Sequence, residues 1–112
     1  MAREKELPPP LEMACLNALW QLGEGNVEEV RGGVNTKLGQ EKPLAYTTVL
    51  TLLERLSKRG AVSRRKEGRG FRYKATADRD KLRRIALQQL LDNHFCGDQA
   101  ALTGFLNTPP LP

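Results

Sequence analysis

The chain has 112 residues, which suits one small domain with at most a short appendage, and its net charge is +5. Two cysteines and one histidine rule out a disulfide framework and give no metal-ligand spacing. No apolar run approaches membrane-spanning length, and the opening MAREKE followed by prolines does not read as a signal peptide, so the cytoplasm is the expected location, with no membrane partner.

The charge is unevenly placed. Residues 1–60 hold eight basic and eight acidic side chains, whereas residues 61–112 hold ten against five. From Lys58 to Arg84 the count is twelve basic to three acidic. Such a concentration suits a polyanion surface, although a solvated face on a small protein would look the same by charge alone.

Residues 1–10, MAREKELPPP, read as a flexible arm whose prolines interrupt any helix. A first helix is expected over Leu11 to Leu22, with Leu11, Cys15, Leu19 and Leu22 spaced by four and three and with Leu16 and Trp20 widening the apolar face. Gly23 and Gly25 end it. A second helix opens at NVEE, where Asn26 can cap and Glu29 can close a reciprocal pair. Val27, Val30, Val34 and Leu38 face inward in this reading. Gly32 and Gly33 weaken the helix by about 1 kcal/mol each relative to alanine, which implies either close packing or fraying. GQEKPL is a short loop.

The third helix, within AYTTVLTLLERLSKRG, has an apolar stripe of Val49, Leu52, Leu53 and Leu56. Thr47, Thr48, Thr51, Arg55 and Lys58 lie off that stripe, and Gly60 is placed as a left-handed C-cap. The period then shortens to two. Ala61–Arg65 and Gly70–Ala75 read as strands joined by a KEGRG turn. A fourth helix starts at Asp78 or Asp80 and carries Leu82, Ile85, Ala86, Leu90, Leu91 and Phe95. GDQAALTGFLN adds a short helical segment with Leu102, Phe105 and Leu106, and residues 108–112 form a disordered tail.

Three helices followed by a basic hairpin give a mostly α fold with a small β-hairpin wing: a winged helix-turn-helix domain over residues 11–76, then C-terminal dimerisation helices over residues 77–107. In that order the third helix is the recognition helix. Short threonines let it approach DNA closely, and their hydroxyls and methyls can meet phosphates, base edges or thymine methyls. Ordinary capping and a solvated face would also use threonines. Tyr46 can buttress the helix start or touch phosphate. The wing cations Arg64, Arg65, Lys66, Arg69 and Arg72 read as phosphate clamps, with Arg69 at the tip, and Arg55, Lys58 and Arg59 can flank the recognition helix. Leu52, Leu53, Leu56, Trp20 and Phe71 read as core.

LEMACLNALW, NVEEV and especially AYTTVLTLLERLSKRGAVSRRKEGRGFRY resemble the penicillinase-repressor family, which includes the methicillin-resistance and copper-transport repressors. The resemblance runs from about Leu11 to Leu106. It implies a cytoplasmic bacterial homodimer that represses transcription from dyad-symmetric operators upstream of resistance genes, with Thr47, Thr48 and Thr51 facing DNA and Arg69 in the wing. It also implies that DRDKLRRIALQQLLDNHFCGDQAALTGFLN begins a dimerisation region, which here must rest on Leu82 to Leu106. In the β-lactam branch a sensor-protease pathway cuts the repressor near the segment matched by ALTGFLN, which places Gly104 and Phe105 at the corresponding position. The cysteine cluster of the copper branch has no counterpart, and no cofactor is implied.

Two other classes were weighed. A winged helix can serve as a protein-interaction module without sequence-specific DNA binding. Catalysis has only Glu28, Glu29, Asp92, His94, Cys96 and Asp98 to draw on, and His94 and Cys96, two apart on a helical pattern, do not face each other. Release from DNA is expected to come from the C-terminal third, by cleavage or by oxidation near Cys96.

Overall fold

The computed structural model describes residues 7–38 and 43–109. Its elements are α1 (Pro10–Leu22), α2 (Val27–Leu38), α3 (Tyr46–Lys58), β1 (Val62–Glu67), β2 (Gly70–Ala75), α4 (Arg79–His94) and α5 (Gln99–Leu106). This is the mostly helical winged helix-turn-helix order expected from the sequence. The chain divides between Ala77 and Asp78 into two compact units.

In the first unit α1, α2 and α3 pack on one another, β2 lies against α1 and α2, and β1 lies against α3. Cys15, Leu16, Leu19, Val30, Val34, Val49, Leu53, Leu56 and Tyr73 are fully buried. The buried face of α1 is rotated from the expected stripe. Glu12, Cys15, Leu16, Ala18 and Leu19 point inward, whereas Leu11 and Leu22 stand 37% and 46% exposed. The helix begins one residue early because Pro10 sits in its first turn, where a proline loses no needed N–H bond. Trp20 and Phe71 are half-buried rather than central, and Tyr73 holds the core position instead. The Leu38 side chain and residues 39–42 fall outside the described residues, as do residues 1–6 of the expected arm and residues 110–112 of the expected tail.

The caps follow local chemistry. The Asn26 carboxamide accepts from the Glu29 N–H at 2.8 Å, and the Glu29 carboxylate accepts from the Asn26 N–H at 3.0 Å, so the capping box of α2 is formed. A Cβ at Gly33 would lie 3.2 Å from that of Ala18, so the glycine permits the close approach of α1 and α2. Nothing in the structure explains Gly32. At the end of α3, Gly60 has φ +80, the Ala61 N–H reaches the Leu56 carbonyl at 2.9 Å and the Gly60 N–H reaches Ser57 at 3.1 Å. This is a Schellman closure, and it turns the chain directly into the wing.

The wing is longer and its turn tighter than the sequence suggested. β1 runs on through Lys66 and Glu67, leaving Gly68 and Arg69 as a two-residue loop with Gly68 at φ +61. A third backbone segment joins the hairpin. Gly25, between α1 and α2, exchanges two hydrogen bonds with Tyr73 at 2.9 and 2.8 Å.

The start of α3 is fixed by α2. Asn35 accepts from the Leu44 N–H at 2.8 Å and donates to the Leu44 carbonyl at 3.3 Å, and Arg31 Nε donates to that carbonyl at 3.0 Å. Asn35 thus replaces a missing backbone partner two residues before α3 begins. Asn35→Ala is expected to lower stability by about 1–3 kcal/mol, since the half-buried Leu44 groups lose partners. Thermal denaturation of the two proteins measures this.

In the second unit the Asp78 carboxylate caps α4 by accepting from Asp80 and Lys81 N–H, and Asp98 caps α5 through Ala101. Leu82, Leu91 and Leu102 are buried, and Phe95 meets Phe105 edge-on at 5.7 Å.

Candidate nucleic-acid interface

The sequence of α3 separates two faces, and packing fixes which one is presented. Val49, Leu52, Leu53 and Leu56 are buried, leaving Tyr46, Thr47, Thr48, Thr51, Arg55 and Lys58 exposed. The N-cap residue is Ala45, and among the described residues no side chain caps the helix; its first turn contains no acid. The leading N–H groups therefore keep the partial positive charge of the helix end, which favours an anion. Thr51 Oγ1 donates to the Thr47 carbonyl at 3.0 Å, so its hydroxyl can offer only acceptor lone pairs outward. Arg59 differs from its neighbours: it is half-buried, and its Nη1 is out of solvent.

The hairpin register divides the wing cations between two faces. Arg64 lies opposite Tyr73 and Lys66 opposite Phe71. The Arg64 guanidinium stacks 4.2 Å from the Phe71 ring centroid, with Lys66 Nζ 5.8 Å away. Arg64, Lys66 and the turn residue Arg69 are all exposed. Arg65 lies opposite Arg72 on the other face, and there both meet acids. Glu24 accepts from Arg65 at 2.9 and 3.2 Å and from Arg72 Nε at 2.7 Å. Arg72 also pairs with Glu29 at 3.2 Å and with Glu67 at 3.6 Å. The sequence grouped all five cations as phosphate clamps; the structure displays three and engages two.

Hydrogen bonds from Arg65 and then Arg72 hold the Glu24 carboxyl down at about 2, against an ordinary 4.5. Because the folded value is depressed, the stabilising contribution is complete above the ordinary carboxylate range and is lost as pH falls toward 2. The pair is intact throughout the neutral range.

Between the start of α2, α3 and the wing lies an open cleft of about 400 Å³, bordered by Tyr46, Leu50, Glu54, Arg64, Arg69 and Phe71 among others. Glu54 brings a carboxylate to the exposed side of α3, a feature the sequence reading did not weigh. The signal was available, since Glu54 lies off the apolar stripe.

A model of the family described as Penicillinase repressor matches residues 9–109. The chain belongs to the penicillinase repressor family. It is 39% identical over 72 residues to "Transcriptional regulator BlaI" of Mycobacterium tuberculosis, covering 64% of this chain and 50% of that protein. It is 31% identical over 86 residues to an uncharacterized 16.5 kDa protein of Latilactobacillus sakei, covering 77% and 56%. The chain thus spans about half the length of the curated relatives it matches. The solution structure of the DNA-binding domain of the repressor BlaI superposes with a TM-score of 0.57 and 26% identity, over 72% of this chain and 93% of that one.

The C-terminal unit of this family member shows its apolar residues unevenly. Leu82, Leu91 and Leu102 are buried, Ile85 and Phe95 are half-buried, and Ala86, Leu90, Phe105 and Leu106 are exposed. Leu87, absent from the sequence-based selection, is 49% exposed. Gly104 and Phe105 lie inside α5, so a protease would need the helix locally unwound there. Among the described residues no helix is long and apolar enough to cross a membrane.

The two thiols differ sharply. Burial, with a smaller push from Glu12, raises Cys15 to about 12, whereas Cys96 is exposed at a left-handed backbone position (φ 51) after α4. The native protein at pH 8 is expected to react rapidly with one equivalent of a thiol reagent per chain, at Cys96, and with a second only on unfolding. Timed alkylation followed by peptide mass analysis checks this.

Proposed function

We propose that the chain is a sequence-specific DNA-binding transcriptional repressor of the cytoplasm. In this reading it acts without catalysis, by occupying a dyad-symmetric operator as a homodimer, and resistance-type genes are the regulated class the family suggests. One observation carries the reading: α3 offers an uncapped positive end and three exposed threonines beside a wing that displays Arg64, Lys66 and Arg69. The likeness to the transcriptional regulator BlaI and to the DNA-binding domain of the repressor BlaI supports it.

The division of labour follows from side-chain chemistry. Thr47, Thr48 and Thr51 lie where short side chains let the helix sit deep in a major groove and meet base edges. Tyr46, Arg55 and Lys58 flank them and serve the backbone. Arg64, Lys66 and Arg69 neutralise phosphates, which gives affinity without sequence information. The cleft carboxylate of Glu54 opposes misplaced phosphate close to α3, since like charges repel.

Thr48→Ala should weaken binding to the operator more than to a scrambled duplex. Arg69→Ala should weaken both and lower the salt slope by up to about 0.9. Titrations over a salt series decide between this and a protein-interaction module, which would show no such slope on either duplex. Equal losses on both duplexes for Thr48→Ala would remove the base-reading role.

For assembly, the exposed Leu87, Leu90, Phe105 and Leu106, continuous in sequence with Ile85, Ala86 and Phe95, supply apolar surface for a second copy. Leu82, Leu91 and Leu102 support that surface from beneath. Leu90→Asp is expected to shift a reversible dimer toward monomer in sedimentation equilibrium. A wild-type chain that stays monomeric at high concentration and on operator DNA would contradict this. Unwinding and cutting α5 near Gly104 and Phe105, through a regulatory protease pathway, would separate the subunits and so weaken the hold on a dyad site.

A further inference from the structure

The hairpin contains an arrangement that would be unfavourable alone. Arg65 and Arg72 are directly opposite across the strand pair, where like charges repel. Glu24 resolves this from outside the hairpin, on the short connection between α1 and α2. Both of its oxygens face the Arg65 fork, at 2.9 and 3.2 Å, and one of them also takes Arg72 Nε at 2.7 Å. The adjacent residue, Gly25, makes the backbone bridge to Tyr73, so the wing is tied to this connection through main chain and side chain together.

A carboxylate that faces an arginine fork with two oxygens presents what a phosphate would present. While Glu24 holds Arg65, that fork is not available to DNA. The two arginines differ in how firmly they are held. The Arg65 side chain is 63% exposed and is held by its hydrogen bonds to Glu24, with a weaker attraction from Glu67. Arg72 is 23% exposed and pairs with Glu24, Glu29 and Glu67. Removing the Glu24 charge therefore takes away the hydrogen bonds that hold Arg65, leaving it only the attraction of Glu67, and leaves Arg72 paired with Glu29 and Glu67.

We infer that Glu24 is a positioning residue that limits the hold of the wing on DNA: by occupying the guanidinium of Arg65, with Arg72, it withholds wing charge from the phosphate backbone and so lowers the affinity for any duplex. This rests on the DNA-binding reading above. The effect is electrostatic and sequence-independent, so removing it should strengthen binding to every duplex by a similar factor.

The test measures dissociation constants over a salt series for wild type, Glu24→Gln, Arg65→Gln and the double variant, each on operator and scrambled duplexes, with thermal melts of each protein. Glu24→Gln should tighten binding to the scrambled duplex by a few-fold to about tenfold at low salt and steepen its salt slope by about 0.9, one added phosphate contact. Operator binding should tighten by a similar factor, because the added phosphate contact reads no base. The double variant should return the slope to the wild-type value. Arg65→Gln alone should leave the slope unchanged, because that side chain is already engaged, and this arm decides the matter even if Glu24→Gln folds poorly. An unchanged slope in a folded Glu24→Gln, equal losses on both duplexes, or a slope lowered by about 0.9 in Arg65→Gln alone would each overturn the inference. Wild type with no salt-dependent binding to either duplex would instead remove the DNA-binding reading on which it rests.

Discussion

Burial of one stripe on α3 decides which face that helix presents outward. Val49, Leu52, Leu53 and Leu56 are held against α1, α2 and β1, each worth about 1.5–3 kcal/mol relative to an exposed position. A helix fixed along one side has no freedom to rotate, so Thr47, Thr48 and Thr51 must face away from the core. Asn35 and Arg31 on α2 then set where that helix begins by gripping the Leu44 backbone. The angle and depth of the threonine face are consequences of apolar packing and of one polar clasp.

The wing is fixed by a different means. Its strands are too short to be stable alone, and they gain support from Tyr73 in the core, from the Gly25 bridge and from Glu24. The period of two sorts its cations automatically. Arg64 and Lys66 share a side with Phe71, and Arg65 and Arg72 share the side that meets acids. Net charge therefore overstates what the wing can offer to a polyanion. The arrangement leaves Arg64, Lys66 and Arg69 displayed and Arg65 and Arg72 engaged with acids.

Much of this was legible in the sequence because it depends on neighbours along the chain. The α3 stripe, the Asn26–Glu29 capping box and the Gly60 closure each involve residues within one or two turns. What was not legible depends on distant pairs. Nothing local tells that Glu24 would reach residues 41 and 48 positions away, or that Asn35 would hold Leu44. The buried face of α1 was misplaced for the same reason: its apolar residues encircle enough of the helix that only the position of α2 and α3 chooses among them, and Glu12 is taken in while Leu11 and Leu22 are left out. In the wing, Phe71 and Tyr73 have equal claim to the core by alternation, and only the bridge to Gly25 gives it to Tyr73.

Two copies of the α3 face that read one duplex symmetrically would leave a paired footprint. Hydroxyl-radical footprinting on genomic fragments selected by the protein tests this most directly. Symmetric reading predicts two protected tracts on one side of the duplex, related by a dyad and centred about one helical turn, roughly 34 Å, apart. A selection that enriches no sequence, or a single protected tract without a symmetric counterpart, would contradict it.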